Sequence, residues 1–160
     1  MCFFLEDFKY FLFIQGMFET RQFILPDKVW SKKDLQQRGQ FWDQIKLFMA
    51  DSDLVCYQVE YKHQKYSQGD IVVVDNTEGG DKLDVGLIEI IIVRKNKVYF
   101  VLKRYVASKQ ELGYFEAEKS NEEITFIEAK LLADFKPLIM HGTKSKFHFV
   151  QHHHISYYSS

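Results

Sequence analysis

The stretch Val85-Gly86-Leu87-Ile88-Glu89-Ile90-Ile91-Ile92-Val93-Arg94, then Lys95-Asn96, then Lys97-Val98-Tyr99-Phe100-Val101-Leu102-Lys103-Arg104-Tyr105-Val106, decides the fold class. Both arms are rich in β-branched and aromatic residues, which fit a pleated, half-buried surface. A two-residue polar break between such runs predicts a hairpin, here Val85 to Arg94 and Val98 to Val106 turning at Lys95-Asn96. The run Leu87 to Val93 is apolar on both faces, so a second layer must cover its outer side.

Working outward, the period of two continues. Tyr57, Val59 and Tyr61 alternate with Gln58 and Glu60, and Lys62-His63-Gln64 reads as a turn. Ile71 to Val74 follows Gly69-Asp70, and Thr77 to Lys82 is a polar, Gly-rich loop. Shorter strands are expected at Gly113 to Ala117 and Ile124 to Glu128. A final hairpin is expected from Lys136 to His141 and Phe147 to Ser156, across Gly142-Thr143. Roughly six or seven short strands at this spacing predict a mainly β (β-rich α+β) chain, a small SH3-like bent or partly open barrel.

Before residue 55 the period is helical. Ser31 with Asp34 has the spacing of a capping box, and Leu35, Phe41, Trp42, Ile45, Phe48 and Met49 recur on one helical face. This helix, ended by Asp51-Ser52-Asp53, is the cover expected for the 87–93 run. A shorter helix over residues 7 to 18 would turn Phe8, Phe11, Leu12 and Phe18 toward the core. The expected organisation is a helical N-terminal segment, 1-54, packed on a β-barrel-like domain, 55-160.

Bulk composition bounds the function. The chain has 160 residues, the size of one domain, and needs no disulfide or metal to fold. Its 15 Phe and 9 Tyr favour strands, and its 2 Pro and 8 Gly argue against long linkers. Twenty-one basic against 22 acidic side chains give a net charge of −1, which disfavours binding nucleic acid mainly through phosphates. Cys2 and Cys56 match no metal spacing and read as reduced, buried thiols. Met1 to Ile14 lacks a basic n-region and is interrupted by Glu6, Asp7 and Lys9, so neither a signal peptide nor a membrane span is expected. A soluble, intracellular chain without a membrane partner follows as the expectation. The Phe-rich start also suits the tail of a longer protein.

Candidate chemistry is sparse. On a strand, His148, His152 and His154 share one face while His153 points the other way, and three imidazoles so placed can hold Zn²⁺ or Cu²⁺. The plainer reading is a solvated edge strand, because no HExxH, CxxC or HxE pattern accompanies them. Gly79-Gly80 lacks the Lys and Ser/Thr of a phosphate loop. No spacing isolates an acid/base carboxylate pair, and Cys56 with His63 lacks an orienting third group. No cofactor is implied, and a non-enzymatic role is expected. Arg94, Lys95, Lys97, Lys103 and Arg104 interleave with Tyr99 and Tyr105, a mixture able to bind acidic peptides or single-stranded nucleic acid. Against that stands the use of such residues to keep a sheet edge soluble. The candidate partner-binding set is Arg94, Tyr99, Lys103, Arg104 and Tyr105. Exposed rings could also form a cage for methylated lysine.

Gly69-Asp70-Ile71-Val72-Val73-Val74, then Val85-Gly86-Leu87-Ile88-Glu89-Ile90, then Lys97 to Tyr105, resembles the opening of bromo-adjacent homology (BAH) domains. Asn121-Glu122 before Ile124-Thr125-Phe126 looks like that family's Asn-Glu strand motif, and Leu131 to Ile139 falls where its next strand would be. The likeness spans about residues 66 to 140. The chain departs from it at Val106-Ala107-Ser108, where the family has Arg-Pro, and lacks the usual tryptophan in that strand. The resemblance implies a BAH-like barrel that binds a protein segment, with a histone or nucleosome as partner and the nucleus as its setting. A looser likeness is to C-terminal β-modules of mobile-element-like, uncharacterised proteins of invertebrate animals. Two other readings stand beside it. One is a metal-binding protein or metal-dependent enzyme using the His-rich strand; the other is a structural fragment that docks through Phe3, Phe4, Phe8 and Phe11.

Overall fold

A computed structural model describes residues 24–76 and 80–151. In chain order the elements are β1 (Ile24–Val29), α1 (Lys32–Gln36), α2 (Gln40–Ile45), β2 (Leu54–Tyr61), β3 (Gln64–Ser67), β4 (Ile71–Asn76) and β5 (Lys82–Arg94). They continue with β6 (Lys97–Lys109), β7 (Phe115–Glu128), a 3₁₀ turn at Ala129–Leu131, β8 (Asp134–Leu138), β9 (His141–Gly142) and β10 (Lys146–Phe149). The predicted hairpin is the spine: β5 and β6 pair from Arg94↔Lys97 at the tip to Lys82↔Ser108 at the base.

The mainly β class holds, but the barrel does not close. Among the described residues ten strands form one antiparallel sheet whose path runs β1-β2-β5-β6-β7-β10-β9. The reason lies on the edge of β5 away from β6. There β4 pairs with residues 83–87 while β2 pairs with residues 91–93, so the sheet forks instead of curling onto itself. No helix among the described residues is long and apolar enough to cross a membrane.

A β-bulge divides the hairpin. Ile88 faces Leu102 and Ile90 faces Val101, which leaves Glu89 as one extra residue in β5. Such an insertion bends the strand and sharpens its twist. Nearby, a Cβ on Gly86 would come within 2.5 Å of Leu102 Cδ1, so only glycine fits beneath that side chain.

Three apolar clusters use the two faces of the spine. On one face Ile88, Ile91, Phe100 and Leu102 pack with Val59, Tyr66, Val72 and Leu132. Here Tyr66 lies 5.0 Å from Phe100, and its hydroxyl donates to the Phe135 carbonyl. On the other face, beyond the bulge toward the base, Leu83, Val85, Leu87 and Tyr105 pack with Phe115, Phe147 and Phe149. Toward the tip of that same face, Ile90, Ile92 and Val101 lie under Trp30, Leu35 and Ile45. The helical region is therefore the cover that the apolar 87–93 run required. Burying a side chain of this size contributes about 1.5–3 kcal/mol.

Four expectations need correction. The single helix from Ser31 is two short ones: Ser31 caps α1 as its spacing foretold, accepting from the Asp34 amide at 3.1 Å, but Gly39 takes φ 57° and breaks the run. The segment before residue 55 is not wholly helical, because β1 pairs along β2. The two short strands at 113–117 and 124–128 are parts of one, β7. The last hairpin is β9–β10, while β8 instead pairs with β4. The helix expected at 7 to 18 and the end of the last strand at 152 to 156 lie outside the described residues.

Candidate functional site

The five hairpin residues expected to meet a partner are held by the protein itself. Arg94 donates to both Asp53 carboxylate oxygens at 2.6 Å and to the Phe48 carbonyl at 2.5 Å. The bond to Asp53 raises its already high pKa. Tyr99 is stacked on Phe126 at 4.9 Å. Lys103 lies 3.7 Å from Glu89. Arg104, on the opposite face, pairs with Asp84 through both ends of its guanidinium. Tyr105 is buried, its hydroxyl donating to the Lys144 carbonyl at 2.9 Å. Burial first, and then the Glu89 charge, raises its pKa. The set is thus divided among two faces and the core, and does not form one surface.

Glu89 is the single buried charged residue among those described, 4% exposed. The bulge sets it at the boundary between the two clusters of one face, where Lys144 at 3.4 Å and Lys103 compensate its charge. Two cations make this a closed structural network, not an acid waiting for substrate. Cys56 is likewise inert: burial pushes its thiol up to about 12, and Sγ donates to the Ile91 carbonyl at 3.8 Å.

The open site lies elsewhere. A groove of about 240 Å³ runs between the helices and the β1–β2 end, lined by Trp30, Leu35, Trp42, Lys46, Met49 and Asp51 among others. Both tryptophans of the chain are in it. Trp30 directly precedes the Ser31 cap and packs with Leu35 in one cluster, the arrangement of a hydrophobic staple. Its ring is clamped between Tyr57, stacked at 4.0 Å, and the Arg38 guanidinium at 4.1 Å. The Trp30 indole N–H is nevertheless buried without a hydrogen-bond partner among the described residues. An orphaned donor of this kind costs about 1–3 kcal/mol. At the rim Lys46 pairs with Asp43 at 3.0 Å, while Asp51 is exposed and has no ion-pair partner among the described residues. Sequence reasoning placed Trp42 and Met49 on the helical face but passed over Trp30. The signal was there, an aromatic one residue before a Ser cap.

His148 projects from β10 into solvent, beside Tyr114 at 5.9 Å and stacked with His141 of β9 at 5.7 Å. The other two members of the expected metal triad, His152 and His154, lie outside the described residues. No group of three potential ligand side chains spaced for a metal ion occurs among the described residues. Strand β7 carries the Asn121-Glu122 pair of the BAH likeness. No family model, curated protein or solved structure matches this chain.

Proposed function

We propose that the domain is a non-enzymatic binding module that takes an extended protein segment into the Trp30–Trp42 groove. The observation that carries this reading is the open groove lined by both tryptophans of the chain. Trp42 and Met49, half-buried in its wall, offer an apolar side chain a place to settle, and the buried Trp30 indole N–H packed with them has no acceptor among the described residues. Asp51, exposed at the rim and without an ion-pair partner among the described residues, favours a basic residue beside that apolar one. Lysine-rich tails such as those of histones satisfy this pattern, and a partner of that kind would set the domain on chromatin.

Because both tryptophans line the groove, intrinsic fluorescence reports on it directly. Phage-displayed peptides and histone-tail peptides are to be titrated while emission is followed. Selected peptides should shift the emission of the native protein. Trp42→Ala or Met49→Ala, with unfolding midpoints unchanged, should weaken binding about tenfold or more. Peptides that bind both variants as tightly as the native chain would defeat the groove assignment.

A further inference from the structure

Four non-glycine residues among those described have positive φ: Lys62 (50°), His63 (64°), Lys95 (47°) and Asn96 (63°). They form two turns, one joining β2 to β3 and the other joining β5 to β6. Hairpin turns with two left-handed residues ordinarily use Asn-Gly or Asp-Gly, because those residues adopt positive φ at little cost. Here lysine or histidine fills three of the four positions, and Lys62 and Lys95 hold their charge at the turn despite a conformation that disfavours a long side chain. Backbone strain of this kind concentrates at functional positions.

Both turns open on the same cleft, of about 290 Å³, lined by Lys62, Lys95, Asn96 and Lys97 together with Tyr61 and the Glu128–Lys130 pair. Four lysines thus face one carboxylate. Glu128 is taken up by Lys130 at 3.6 Å, and Lys62, Lys95 and Lys97 have no ion-pair partner among the described residues. A chain with a net charge of −1 therefore concentrates positive charge at one end of its sheet. Beside the cleft, the Lys62 ammonium lies 5.4 Å from the Phe135 ring centroid, and Phe135 is 42% exposed.

We propose that this cleft binds the phosphodiester backbone of a single-stranded nucleic acid. Lysine ammoniums are mobile point charges without the fork that grips one phosphomonoester in fixed geometry. They suit a run of equivalent phosphates, and an exposed ring beside them suits the stacking of an unpaired base. The site is separate from the tryptophan groove and stands whether or not a peptide occupies that groove.

The test is fluorescence anisotropy with a labelled oligothymidylate of about 20 nucleotides, at several salt concentrations between roughly 50 and 300 mM. The native chain should bind with an affinity that falls linearly with log salt. Lys62→Ala/Lys95→Ala/Lys97→Ala should bind at least about tenfold more weakly and reduce the magnitude of that slope by about 2, at about 0.7 for each phosphate no longer neutralised. Lys33→Ala/Lys109→Ala, which removes charge elsewhere, should leave slope and affinity in place. Phe135→Ala should weaken binding while keeping the slope. Circular dichroism checks that every variant is folded. The proposal is overturned if the oligonucleotide does not bind, if the triple variant keeps the native slope, or if only phosphopeptides or phosphatidylserine vesicles bind.

Discussion

The body and the tip of the β5–β6 hairpin carry the same kinds of residue and treat them in opposite ways. In the body Lys103 is bound to Glu89 and Arg104 to Asp84, and Arg94, where β5 ends, is bound to Asp53. At the tip, Lys95 and Lys97 are exposed and meet Lys62 from the neighbouring turn in an open cleft. Position explains the difference. A basic residue within a strand stands at fixed spacing from its cross-strand neighbours, and here those neighbours supply carboxylates. Lys95 stands past the last pair, Arg94↔Lys97, and Lys97, which closes that pair, faces an arginine instead of a carboxylate; both meet solvent. Basic residues alternating with aromatics along a strand therefore mark internal pairing in this protein, while those at the turns are left for a ligand.

That contrast can be broken from its sealed side first. Cys56 packs against the hairpin body, and its thiol titrates near pH 12 when folded but near its ordinary 9.0 when unfolded. The unfolded chain thus gives up this proton first, so stability should fall as pH rises from 9 toward 12, by about 4 kcal/mol in all. Tyr66, whose pKa burial also raises, adds a loss in the same direction. Urea midpoints at intervals across this range should show a shallower decline in Cys56→Ala; equal slopes would mean that the thiol is not sealed. Next, Lys103→Ala/Lys144→Ala strands Glu89 in the interior and should cost about 3 kcal/mol by denaturant unfolding. A loss below about 0.5 kcal/mol would show that water already reaches the carboxylate. Third, Asp53→Ala frees Arg94, which is a quarter exposed, and should cost about 2 kcal/mol. The smallest effect belongs to the tip. Lys95→Ala/Lys97→Ala should stay within about 0.5 kcal/mol of the native stability. A larger loss there would erase the distinction between body and tip.

The spine was legible because its information is local: an alternating, β-branched run, two polar residues, and a second such run. The Ser31 cap was legible for the same reason. The break at Gly39 was obscured by an apolar period that continues through it into α2. Strand β1, Ile-Leu-Pro-Asp-Lys-Val, carries no alternating pattern, because Pro26 and two charges interrupt it, yet an edge strand tolerates both. The pairing of β8 with β4 spans more than 60 residues, and no local pattern encodes such a partner. The candidate sites were half legible in the same sense. Arg94, Lys103 and Arg104 stood out as basic, but Asp53, which neutralises Arg94, lies 41 residues away in sequence. Lys62 read only as part of a turn, and nothing in the sequence pointed from it to Lys95 or Lys130.

Glu89 adds one residue to β5 without changing which residues face each other on either side of it: Ile88 keeps Leu102 and Ile90 takes Val101. If that residue were excised, the alternation from Leu87 through Val93 would run on in phase and every cross-strand partner could be kept. Only the bend and its buried carboxylate would go. Curvature and strand pairing are thus written in separate letters of this sequence, and the shape of the sheet can drift, by a single-codon deletion or insertion, without the ladder being rewritten.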